Sequence, residues 1–308
     1  MKRTGFLYDP RYLLHDTGPY HPERAERLEA IHQGIKDAGL LGYLTKVPSR
    51  LVDMKWVQTI HSMEYIRRFE ELCLGGRRTL DCEDNQMCRD TYETAQLAAG
   101  GVLEAARMLM NNEVDNAFCA VRPPGHHAER GEAMGFCYFN NVAIAARYLQ
   151  LEYKIERVGI IDFDVHHGNG TEDIFADDEH VLMVSTFQHP FYPYSGTDDP
   201  AANMVNVPLA AGTGSDGFRA AVEKFWMPAL EAFRPEMVFF SAGFDAHIED
   251  DMAMLRLIDS DYAWVTAQVK SVVDRTGSGR IVSMLEGGYA LAALGRSVVQ
   301  HVKVLGGL

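Results

Sequence analysis

Near the middle of the chain, Ile160-Ile161-Asp162-Phe163-Asp164-Val165-His166-His167-Gly168 passes from apolar to ionisable within a few residues. The apolar part reads as a buried strand, and residues two apart on a strand face the same side. Asp164 and His166 can therefore bind one ion together, whereas burying them unpartnered is costly. Asp245, in Gly243-Phe244-Asp245, completes an Asp/His/Asp set. Such a set leaves coordination positions for water and a substrate oxygen, as catalytic zinc sites do.

A metal-activated water needs a base within hydrogen-bond reach, and histidine suits that task. His126 and His127 follow a rigid Pro123-Pro124-Gly125 turn that fixes their approach, and Asp162 is placed to orient a ring. His167 has no clear chemical role and is read as structural. Tyr289, behind Gly287-Gly288, is a candidate for polarising a carbonyl, since a phenol can donate to a developing oxyanion. Gly135-Phe136 and Phe191-Tyr192-Pro193-Tyr194 supply aromatics for the walls of a narrow apolar channel.

These residues need elements that bring them together. The first third reads as mostly helical. One helix follows His21-Pro22-Glu23-Arg24 with Leu28, Ile31 and Ile35 on one face, a second is capped by Ser62, and a third spans Thr91 to Met110. Short runs rich in Val, Ile and Phe then predict strands at Ala117–Val121, Val158–Phe163, Val181–Thr186, Met237–Ser241 and Arg280–Leu285. Helices are predicted between and after them at Asn141–Leu149, Ser215–Phe233, Ser260–Asp274 and Leu291–Leu305. The fold class is α/β: one domain over residues 1–308, with a central, mostly parallel sheet flanked by helices on both faces. Four polar clusters follow four of these strands, at the edge where such sheets bind ligands.

Bulk composition agrees with an ordinary globular protein with a substantial core. The chain has 308 residues, 47% hydrophobic and 23% charged, with no apolar run of membrane-spanning length. The basic start, Met1-Lys2-Arg3, precedes too short an apolar stretch for a secretory signal, so cytoplasmic residence is expected. Five cysteines, odd in number and without a Cys-x-x-Cys pair, argue against a disulfide framework or zinc ribbon. A net charge of −14 without a basic run argues against nucleic-acid binding and suits a cationic substrate.

Taken together and in order, six segments resemble the zinc-dependent histone deacetylase family of the arginase/deacetylase superfamily, in its class II-like bacterial form. They are His21-Pro22-Glu23-Arg24, Arg122 to His127, Gly135 to Asn141, Asp162 to Thr171, Gly243 to Ala246, and Glu286-Gly287-Gly288-Tyr289. Arginases tend to carry Asp-x-His-x-Asp for two manganese ions. Here Gly168 follows His167, which fits one metal ion per chain.

The resemblance implies Zn²⁺ on Asp164, His166 and Asp245. It implies His127 as general base and then acid, His126 as an electrostatic partner held by Asp162, and Tyr289 on the acyl oxygen. Phe136, Gly135 and an aromatic at Tyr192 or Tyr194 would line an acyl-lysine tunnel, with Met252 beside it and Asp84 as a rim carboxylate. A structural K⁺ near Asp162, Asp164, His166, Ser185 and Thr186 is implied as well, and Arg27 would line a channel behind the site. Asn169 stands where class I members tend to have Asp, which leaves His127 without a carboxylate partner. The implied substrates are acyl-lysine in proteins or peptides, with acetylpolyamine or another small N-acyl amine as the alternative. Met252 stands where polyamine-selective relatives can place Glu, and this argues for the former.

Overall fold

Runs of Val, Ile and Phe with no polar alternation bury both of their faces and become the centre of a sheet. The computed structural model describes residues 2–276 and 279–308. In chain order the strands are β1 (Thr4–Leu7), β2 (Leu44–Lys46), β3 (Thr79–Leu80), β4 (Cys82–Gln86), β5 (Asn116–Cys119), β6 (Val158–Asp162), β7 (Val181–Gln188), β8 (Met204–Leu209), β9 (Met237–Ala242) and β10 (Ile281–Leu285). Eight form one sheet in the order β2-β1-β5-β10-β9-β6-β7-β8, with every neighbouring pair parallel. The remaining two, β3 and β4, make a small antiparallel hairpin.

The helices are α1 (Glu26–Asp37), α2 (Met54–Val57), α3 (Met63–Leu74), α4 (Thr91–Met110), α5 (Asn141–Tyr153), α6 (Asn169–Phe175), α7 (Ser215–Ala221), α8 (Met227–Phe233), α9 (Asp259–Thr276) and α10 (Leu291–Gly306). Ser62 caps α3 as expected, its hydroxyl accepting from the Tyr65 N–H at 3.2 Å. Asn140 caps α5 by accepting from Ala143 N–H, while its amide donates to Ala128 O at 3.1 Å. One side chain thus starts a helix and anchors the turn beyond the tandem histidines.

The five predicted strands are all present, and they include the four at the centre of the sheet. Three further strands of this sheet were not foreseen. The first third of the chain is therefore less helical than its pattern suggests, because β1, β2 and the hairpin interrupt it. The helix predicted over Ser215–Phe233 is divided by a π-helical turn at Val222–Trp226. Pro228, just beyond, lacks the N–H that regular helical bonding would use.

The order β5-β10-β9-β6 matters most. These four strands are neighbours and parallel, so their carboxyl ends emerge side by side. Each is followed by one of the polar clusters.

Candidate active site

Beyond β6, backbone and side chain cooperate. The Asp164 N–H donates to Asp162 Oδ1 at 3.1 Å, and the His166 N–H donates to Asp164 Oδ1 at 2.9 Å. These tight turns aim the carboxylate and imidazole at the loop after β9, where Asp245 Oδ1 accepts from Val165 N–H at 3.0 Å. Ligand atoms of Asp164, His166 and Asp245 all lie within 4.8 Å of one another, and all three residues are buried. His166 Nδ1 is 3.0 Å from Asp164 Oδ1 and 3.3 Å from Asp245 Oδ2.

Asp245 Oδ2 is buried without a hydrogen-bond partner, an arrangement that is costly unless a cation takes it up. Glycines leave room beside the same oxygens. A Cβ at Gly287 would lie 2.0 Å from Asp245 Oδ2, and one at Gly243 would lie 2.1 Å from Asp164 Oδ2. Two carboxylates, one of them with an orphaned buried oxygen, and an imidazole fit a divalent ion such as Zn²⁺.

The tandem histidines lie beside this cluster, their ring centroids 4.0 Å apart and their planes tilted by 45°. His126 Nδ1 donates to Asp162 Oδ2 at 2.9 Å. Burial opposes charge on this ring, but Asp162 and Asp164 outweigh it and raise its pKa to about 10. His127 differs, since its Nδ1 lies 2.7 Å from Asn169 Oδ1. The amide of Asn169 is oriented by its Nδ2, which donates to Glu129 Oε1 at 2.8 Å, so its oxygen faces the ring. Nδ1 of His127 therefore carries the proton and Nε2 is the free acceptor. Burial, with the neighbouring His126 and His166 rings, holds His127 well below the usual histidine range.

A cavity of about 690 Å³ opens over these groups. His126, His127, His166 and Tyr289 line it, with Gly135, Phe136, Phe191, Tyr192 and Met252 as walls and Asp84 at the rim. Phe136 meets Tyr289 edge-to-face at 6.0 Å, and Tyr192 meets His127 at 5.5 Å. Gly135 and Phe136 both have positive φ, +56° and +68°. A side chain at Gly135 would strike the His127 ring, 2.2 Å from Cδ2, so glycine is required there.

Of the two tyrosines left open by the sequence, Tyr192 lies in the cavity wall. Tyr194 is 73% exposed and outside the lining. Ser185 and Thr186 are buried on β7, with Ser185 paired in register with Asp162. His167 bonds to Ser195 at 2.8 Å and faces Glu172 at 2.6 Å, consistent with a structural role.

Two groups, Glu286 and the Glu23–Arg122 pair, escaped assignment from the sequence. Glu286 was quoted within its motif but given no role. It reaches back to accept from the Gly125 N–H at 2.7 Å and the His126 N–H at 3.1 Å, tying β10 to the tandem-histidine turn. Phe191, expected from the sequence among the channel aromatics, stacks on His166 at 5.6 Å. Glu23 and Arg122, fully buried, pair with each other, and Glu23 also holds Arg27 at 3.0 Å. Arg27 donates to Gly288 O at 2.7 Å and lies 4.8 Å over the Tyr289 ring. It therefore sits behind Tyr289.

A histone deacetylase domain model matches residues 21–305. The chain belongs to the histone deacetylase family. As a family member it is a hydrolase of the deacetylase/amidohydrolase class. Among similar proteins, a "Probable deacetylase" of Archaeoglobus fulgidus is 37% identical, covering 94% of this chain and 82% of its own. A "Histone deacetylase-like amidohydrolase" of Pseudomonas aeruginosa is 33% identical over 94% and 83%. The crystal structure of the HDA15 HD domain superposes with a TM-score of 0.93 at 32% identity, covering all of this chain and 90% of that one. Among the described residues of this deacetylase-family chain, no helix is long and apolar enough to cross a membrane.

Proposed function

We propose that the protein is a zinc-dependent deacylase that removes acetyl or related acyl groups from the ε-nitrogen of lysine in proteins or peptides. The observation that carries this reading is the convergence, beneath one cavity, of an Asp/His/Asp cluster, two differently partnered histidines and a phenol. Asp164, His166 and Asp245 would hold one Zn²⁺. Bound there, the ion supplies Lewis acidity, polarising an amide carbonyl and lowering the pKa of a water towards about 7.

The remaining steps belong to side chains. His127, with Nδ1 donating to Asn169, offers Nε2 as the base that takes a proton from water. His126, paired with Asp162 and shifted towards its protonated form, places positive potential beside the developing oxyanion. The Tyr289 phenol donates to the acyl oxygen from the opposite wall. His127 then returns its proton to the leaving amine, and a carboxylate and a free amine result. Phe136 and Tyr192 flank the extended acyl-lysine side chain, Gly135 leaves space beside His127, and Asp84 receives backbone N–H groups at the rim. Ser185 Oγ, buried without a partner, is consistent with a structural K⁺ near Asp162, Asp164, His166 and Thr186.

Met252, apolar and in the cavity wall, favours acyl-lysine over a polyamine. A panel of acetyl-lysine peptides, longer acyl-lysines and acetylpolyamines, run with metal analysis, tests the proposal. Turnover of the peptides by zinc-loaded protein is expected. Turnover of polyamines alone would overturn the substrate assignment.

A further inference from the structure

Tyr289 stands in a stretch of chain with little of its own to hold it. Gly288, before it, has φ +114°, a conformation suited to glycine. After it comes Ala290, the cap of α10, whose side chain makes no capping bond. A carboxylate from a different loop fills that role. Asp250, 5% exposed, accepts at Oδ2 from the backbone N–H of Tyr289 at 2.6 Å and of Ala290 at 2.9 Å. Its Oδ1 accepts from the Met252 N–H at 3.1 Å. The same loop carries Asp245, so this one residue joins the segment bearing a metal-cluster carboxylate to the phenol and to the cavity wall.

We infer that Asp250 is a positioning residue for Tyr289, clamping its backbone so that the phenol meets the acyl oxygen at the height set by the metal cluster. The inference rests on the proposed role of Tyr289 as donor to that oxygen. Arg27 holds the carbonyl side of the same segment through Gly288 O, so backbone on both sides of the ring is gripped by a buried charge. An ionised carboxylate is needed, because an amide has one acceptor oxygen. In Asp250→Asn either the Tyr289/Ala290 pair or Met252 faces an NH₂ group.

The experiment is a double-mutant cycle with Asp250→Asn and Tyr289→Phe on the zinc-loaded protein, measuring kcat, KM, metal content and thermal midpoint with an acetyl-lysine peptide. Asp250→Asn is expected to lower kcat by about 10- to 100-fold with KM changed less than about threefold and zinc retained. In the Tyr289→Phe background it should lower kcat less than about threefold further, because the donor it positions is already gone. A carboxylate that merely stabilises α10 would lower kcat by the same factor in both backgrounds, and that result overturns the inference. So does an unchanged kcat in the single variant. If Asp250→Asn does not fold, Ala290→Pro deletes one of the two N–H donors and leaves the carboxylate. Its φ of −76° suits proline. A loss of kcat confined to the Tyr289 background is again expected, and equal losses in both again overturn the inference. A wild-type protein inactive on every acyl-lysine would sink the proposed function instead.

Discussion

His127 is partnered by a neutral amide, with Asn169 Oδ1 2.7 Å from its Nδ1, while His126 beside it is partnered by the Asp162 carboxylate at 2.9 Å. Two adjacent imidazoles in one buried site are thereby shifted in opposite directions, His126 upward and His127 downward. Replacing Asn169 by Asp adds a negative charge at hydrogen-bond distance, and such a charge raises a histidine pKa by about 1–3 units. The acid limb of the pH profile of kcat/KM should therefore move upward, with activity lost at a higher pH as His127 takes up its proton earlier. The new carboxylate also faces Glu129, which now receives the Asn169 amide, so the thermal midpoint should fall. An acid limb that stays in place would show that His127 is not the titrating base.

Tyr289→Phe keeps the ring against Phe136 and removes only the hydroxyl. Zinc content should be unchanged, and kcat should fall by about 10²–10³, the scale for loss of an oxyanion donor. Undiminished turnover would remove the phenol from the chemistry.

Metal retention depends on oxygen placement as well as on ligand identity. Asp164→Ala and Asp245→Ala should lose zinc by elemental analysis. Gly287→Ala should do so too with every ligand present, because its Cβ would lie 2.0 Å from Asp245 Oδ2 and 2.7 Å from Asp164 Oδ2. Full occupancy in Gly287→Ala would mean that the loop after β10 yields easily.

Away from the site, His301 is fully buried between Thr266 and Ser283, and burial lowers its pKa from 6.5 to about 3. The unfolded chain binds this proton below about pH 6.5 and the folded chain does not, so its contribution to stability is present above that pH. It is lost as pH falls towards 3, at about 1.4 kcal/mol per pH unit. Urea midpoints between pH 7 and 4 should fall more steeply for the wild type than for His301→Gln. Parallel curves would contradict this.

How much of this was legible in the sequence follows from burial. Strands β6, β7, β9 and β10 are covered on both faces, so unbroken apolar runs announce them. Strand β8 lies at the edge and holds Asn206 and Pro208, a composition that argues against a central strand. Strand β2 is three part-exposed residues at the opposite edge, too short to show a period. The reacting groups were readable because Asp-x-His and tandem histidines are rare at strand ends. Asp250 and Glu286 were not, because they act on backbone N–H groups of distant segments, and no residue pattern records which segment lies opposite.

The carboxylate-to-backbone bonds have a consequence for how such a protein can change. Asp162, Asp164, Asp245, Asp250 and Glu286 each accept N–H bonds from the backbone of the loops at this sheet edge. The floor is thus interlocked, and altering one member disturbs the rest. Tyr20, Arg78, Glu83 and Asp84 at the entrance stand outside that lattice. Divergence towards a new amine has a free hand at the doorway and almost none in the basement.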